Sequence, residues 1–173
     1  MNLKSVISGV VVLGIIGYGA FSGFKQDGVV EYNDYVTDQI TANNMLFNDF
    51  ATMLGQWGAG ESVDINAMQA SLETLKVEHA AVMNSIRTVE VPSGEKIATF
   101  HSAILEYCTA DEAIVSAYDQ VMGYIATHNP AKESDVDYVD GILMPLIEVE
   151  DEIFARMVSA QSEMATKYDL TLQ

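Results

Sequence analysis

After residue 28, apolar residues recur at alternating intervals of three and four. Short segments rich in Gly, Pro and Asn divide this pattern into four runs. The interval puts each run on one face of an α-helix, and no two-residue alternation is present from which a strand would be built. Val29, Tyr32, Val36, Ile40, Asn43, Leu46, Phe50, Met53 and Trp57 form the first stripe. Three glycines between Gly55 and Gly60 are expected to end that helix, because glycine is a poor helix former and a good turn former. The second stripe, Ile65, Met68, Leu72, Leu75, His79, Val82, Ile86 and Val89, comes after Ser62 and Asp64, either of which can cap it. Val91-Pro92-Ser93-Gly94 breaks it, since a residue before proline avoids the helical region, and Ser93 is the cap expected for the next helix.

The third helix is expected from about Glu95 to Thr127, with Ile97, His101, Ile104, Cys108, Asp111, Val115, Tyr118, Met122 and Ile125 on its stripe. The fourth carries Val136, Val139, Leu143, Leu146, Glu150, Ile153, Met157, Ala160, Met164 and Tyr168. Ser134 to Asp137 resembles a capping box at its start, and Pro145 is expected to kink it. Four amphipathic helices joined by short turns predict an all-α fold, an elongated antiparallel four-helix bundle over residues 26–173. At 1.5 Å per residue the helices would be about 40 to 50 Å long.

Residues 1–25 are a different kind of chain. Ser5 to Phe24 carries no charge, and about 20 apolar residues span a bilayer core as a helix. The terminal amine and Lys4 precede the stretch, while Lys25 is followed by Asp27 and Glu31, a bias that keeps the amino terminus in the cytoplasm and exports the rest. The segment therefore reads as a signal anchor and single-pass transmembrane helix, or as a signal peptide cleaved near Ala20-Phe21-Ser22. Either reading places the acidic domain in the bacterial cell envelope, on the periplasmic or extracellular side.

With 25 acidic against 8 basic residues the net charge is −17, which repels phosphate backbones and excludes nucleic acid as a partner. A basic protein surface or a cation would be attracted. The single cysteine, Cys108, rules out an internal disulfide and reads as a buried thiol.

Each stripe has a polar interruption: Asn43, His79, His101 with Asp111, and Glu150. Buried polar groups are costly unless they find partners. Folding the sequence about the first turn brings Asn43 level with His79, and about the third turn brings Asp111 level with Glu150. Folding about Pro92 sets His79 level with Leu105, which predicts two separate polar layers. His79, His101, Asp111 and Glu150 are the candidate metal ligands, but neither histidine follows a glutamate by three residues, the pattern that makes di-metal bundles recognisable. The expected role is structural, fixing helix register. The alternative is a ligand-holding bundle with a divalent metal or a non-covalent haem between a histidine and Met83 or Met157; no Cys-x-x-Cys-His is present for covalent attachment. Asp135 to Leu146 fails as a calcium loop, since Val139 occupies the fifth position and Leu146 the twelfth. The sequence thus predicts a non-enzymatic, membrane-tethered or secreted bundle that binds an envelope protein or itself.

Overall fold

The computed structural model describes residues 28–170, which hold helices and no strand. The Ser5 to Phe24 stretch lies outside the described residues; among those described, no helix is long and apolar enough to cross a membrane. The helices are α1 (Val29–Leu46), α2 (Asn48–Gly58), α3 (Ile65–Thr88), α4 (Glu95–Ile125) and α5 (Glu133–Lys167). α1 and α2 form one rod interrupted at Phe47, so there are four rods. Phe47 keeps right-handed helical angles (φ −74, ψ −18), and the interruption turns its ring inward while Leu46 stays only partly buried. The expectation of an unbroken first helix is corrected there. The rod ends within the glycine-rich segment, as expected: α2 runs through Gly58, Gly60 takes a positive φ of 81, and Trp57 is fully buried.

Side-chain pairs give the topology. Gln39 meets Ser85 and Asn43 meets His79 between α1 and α3. Lys76 meets Asp119 and Arg87 meets Glu112 between α3 and α4, and Lys96 meets Glu163 and Arg156 meets Glu106 between α4 and α5. In each pairing one number rises as the other falls, so sequential rods are antiparallel, as short connections dictate. Pro145 sits inside α5 without ending it.

Two of the expected caps are replaced. Asp64 does cap α3, its Oδ1 accepting from the N–H of Asn66 at 2.9 Å and of Ala67 at 3.1 Å. Ser93 does not cap α4, whose preceding residue is Gly94 with no side-chain cap. At α5 the working carboxylate is Asp135 rather than Asp137: its Oδ2 accepts from the Lys132 N–H at 2.8 Å, and its Oδ1 accepts from the Tyr124 hydroxyl at 2.9 Å.

Gly94 has φ 153, and a Cβ there would collide with the Tyr168 hydroxyl and lie 3.2 Å from Ile97 Cδ1. Left-handed strain and the collision act together. Gly94→Ala is expected to cost about 1–3 kcal/mol, read as a lower urea midpoint in circular dichroism of the full chain; an unchanged midpoint would rule out the tight approach of α5 to this turn.

The core has two apolar parts. One joins Phe47, Phe50, Leu54 and Trp57 to Met68, Leu72, Val121 and Leu143. The other joins Val29, Val36 and Ile40 to Met83, Ile86, Ile104 and Met164. Between them lies a polar layer.

Candidate functional site

Each rod contributes one residue to that layer: Asn43 from α1, His79 from α3, Asp111 from α4 and Glu150 from α5. Their 3.6-residue stripes force them inward, and the register of the rods decides which meet. Asn43, His79 and Asp111 are 0%, 3% and 3% exposed. The His79 Nδ1–H donates to Asn43 Oδ1 at 2.7 Å, and Asn43 Nδ2 donates to Asp111 Oδ2 at 2.6 Å. The carboxamide thus bridges the two titratable groups, which are 3.7 Å apart at Nδ1 and Oδ2.

The expectation of two polar layers fails at the Pro92 turn. Val89 is extended (φ −63, ψ 142) where α3 stops at Thr88, and α4 begins only at Glu95. The six residues between the helices are not helical, and a residue in non-helical, extended backbone rises about twice as far as a helical one. α4 therefore starts well beyond the end of α3, and Asp111, rather than Leu105, comes to His79. Outside the layer, Arg87 holds this register with a two-pronged contact to Glu112 at 2.5 and 2.6 Å.

Burial sets the electrostatics. Asp111 is pushed up to about 8, chiefly by loss of water and then by the charge of Glu150, with the Asn43 hydrogen bond opposing. Glu150 is pushed up to about 7 by burial and by Asp151, and the Tyr107 hydroxyl partly offsets this. That hydroxyl donates to Asn44 Oδ1 at 3.2 Å. His79 is lowered, first by burial. The hydrogen bonds give the reason in atoms: Nδ1 already donates to Asn43, and the buried Nε2 has no partner, so a second proton would make an unsatisfied N–H.

His101 belongs elsewhere. It lies ten residues before Asp111, about 15 Å along the helix. Its Nδ1 is 2.7 Å from the Tyr32 hydroxyl, in the second apolar part. Met83 and Met157 are buried there too, as packing. Among the described residues no group of three or more His, Cys, Asp or Glu side chains is placed to hold a metal ion. The structure therefore brings His79 and Asp111 together, sets Glu150 within electrostatic reach of Asp111, and separates His101 from all three. Cys108 is fully buried, and burial pushes its thiol up to about 12, so the nucleophilic thiolate is not formed near neutral pH.

One buried polar contact was not anticipated: Gln161 Nε2 donates to Asn33 Oδ1 at 2.9 Å. Both residues sit on the inward stripes, Asn33 four residues after Val29 and Gln161 four after Met157, so the spacing contained the signal. No family model, curated protein or solved structure matches this chain.

Proposed function

We propose that this is a non-enzymatic helical-bundle protein of the bacterial cell envelope. Residues 1–25 carry it into or across the membrane with the amino terminus in the cytoplasm, and the acidic bundle outside binds a partner protein. The observation that carries this reading is the distribution of charge. Of the 8 basic residues, Lys76, Arg87, Lys96 and Arg156 are already engaged in ion pairs between helices, whereas the 25 acidic residues outnumber them and project an unbalanced negative field. Such a field speeds encounter with a basic surface and opposes self-association of like-charged copies. Self-assembly is thereby the less favoured form of the same function. A buried inert thiol and a polar layer sealed between two apolar parts fit a scaffold for surface contacts better than a catalytic cleft.

Membrane fractionation with mass spectrometry of the mature amino terminus tests the placement. The expected result is an intact amino terminus in the membrane fraction, or a chain beginning near Gly23 outside the cytoplasm. An intact chain recovered wholly in the cytosolic fraction would overturn it. For the partner, cross-linking in intact envelopes is expected to give an adduct with a basic protein that fades as salt is raised.

A further inference from the structure

The surface of the bundle is not uniform, and its asymmetry points to one seam. From Lys25 to Lys76 the sequence has no lysine or arginine. The whole α1–α2 rod is therefore free of basic residues, while it carries Glu31, Asp34, Asp38 and Asp49. The seams of α3 with α4 and of α4 with α5 are each bridged by two ion pairs, and among the described residues the seam of α1–α2 with α3 has none. A groove runs along that unbridged seam. Its apolar floor is Met45, Leu46, Met53 and Leu75, and Asp49 and Glu78 stand at its edges.

Three features make this groove a docking surface. Met45 is 66% exposed, a large apolar side chain left in water where the rod breaks at Phe47, and methionine adapts its shape to a partner. The α3 wall is built of small residues, Ala67, Ser71 and Thr74, which let another backbone come close. From Ala67 to Glu78 the wall extends about 16 Å, enough for three turns of helix. The carboxylates at the edges have no cationic partner within the described chain.

We infer that the groove between the α1–α2 rod and α3 binds a basic amphipathic helix of a partner protein, whose apolar stripe covers Met45 and Met53 while lysine or arginine on its flanks meets Asp49 and Glu78. This rests on the partner-binding reading and names the partner's chemistry. A second copy of this chain is the wrong occupant, because it would bring a net charge of −17 against the same carboxylates. Helix-in-groove recognition supplies the apolar anchors, and the charges set orientation and salt dependence.

The test uses the full chain in detergent micelles and a synthetic 14-residue helix with leucine at positions spaced three and four apart and lysine on both flanks. Its scrambled isomer has the same charge and no stripe. Binding of the first is expected to be at least tenfold tighter than of the second, and Asp49→Lys with Glu78→Lys is expected to weaken it at least tenfold. Glu148→Lys, exposed on α5, is expected to leave it unchanged. Equal binding of the two peptides, no binding of either, or equal loss from Glu148→Lys would overturn the groove. Of these, equal loss from Glu148→Lys would leave partner binding by general charge intact, whereas no salt-sensitive adduct in the envelope would sink the broader reading. A photo-cross-linking residue in place of Thr52, within the groove, identifies the occupant in cells. Capture of a basic helix supports the inference; capture of a second copy or of residues 1–27 of the same chain overturns it.

Discussion

Between pH 6.5 and 9 the folded protein is expected to lose stability, and Asp111→Asn is expected to remove most of that loss. The sign comes from proton counting. In the unfolded chain Asp111 ionises near its ordinary value, whereas in the bundle it holds its proton up to about 8 and Glu150 holds its own up to about 7. A carboxyl raised in this way favours the folded state most at low pH, and the advantage is lost as pH climbs through the folded value. His79 acts in the opposite sense. Lowered by burial, it favours folding above its ordinary value, and that contribution is lost as pH falls below about 6.5. Between pH 4 and 6.5 the two effects oppose each other. Above 6.5 the unfolded histidine loses its remaining charge within about one pH unit, and the buried Cys108 thiol enters only near the ordinary thiol value of about 8.5, so the carboxyls dominate the window from 6.5 to 9. The expected loss there is on the order of 2 kcal/mol, read from urea midpoints at successive pH values. In Asp111→Asn the carboxamide keeps the shape and has nothing to ionise, so the slope shrinks to the part due to Glu150. A wild-type midpoint that does not move from pH 6.5 to 9 would mean that water reaches the layer.

The sequence disclosed the residues of this layer but not the layer itself. Three-and-four spacing is a local property, and it assigned Asn43, His79, Asp111 and Glu150 to the inner faces of their helices without reference to any neighbour. Whether they meet depends on relative height, which is set by the connections. At the Gly-rich turn the path is short, and levelling Asn43 with His79 worked. At Val89 to Gly94 the chain leaves the helical path, and an extended residue rises about twice as far as a helical one. That difference moved α4 by six residues, a little under two turns, merged two expected layers into one and left His101 beside Tyr32. Caps were illegible for a related reason. Ser93 and Asp64 are equally good as types, and only the backbone angle at Gly94 decides that the first is not used. The uncharged stretch from Ser5 to Phe24 was the most legible feature of all in composition, and it lies outside the described residues.

Trp57→Ala is expected to be the most damaging single change, at about 3–5 kcal/mol. Trp57 is fully buried in the first apolar part, and its indole Nε1–H donates to the backbone carbonyl of His128 at 2.7 Å. That bond ties the end of α2 to the turn between α4 and α5. A second tie lies beside it: Asn129 accepts from the Val63 N–H at 3.1 Å and donates to the Val63 carbonyl at 2.8 Å. Both turns at this end are therefore clamped to each other. Alanine leaves a cavity and an unpaired carbonyl together, whereas Trp57→Phe keeps most of the apolar contact and removes only the bond, which should cost about 1–2 kcal/mol. The two losses separate packing from hydrogen bonding when urea midpoints of both variants are compared with wild type. Equal losses would mean that the bond to His128, rather than the ring, holds this end closed. A domain of this size has only about 5–15 kcal/mol in hand, so the alanine variant removes a large share of it. The damage should begin locally, because the polar layer separates this apolar part from the other. Amides of α2 and of the turn at His128 are then expected to exchange with solvent before those of α1 near Val36, and simultaneous exchange at both ends would mean that the layer transmits unfolding instead of containing it.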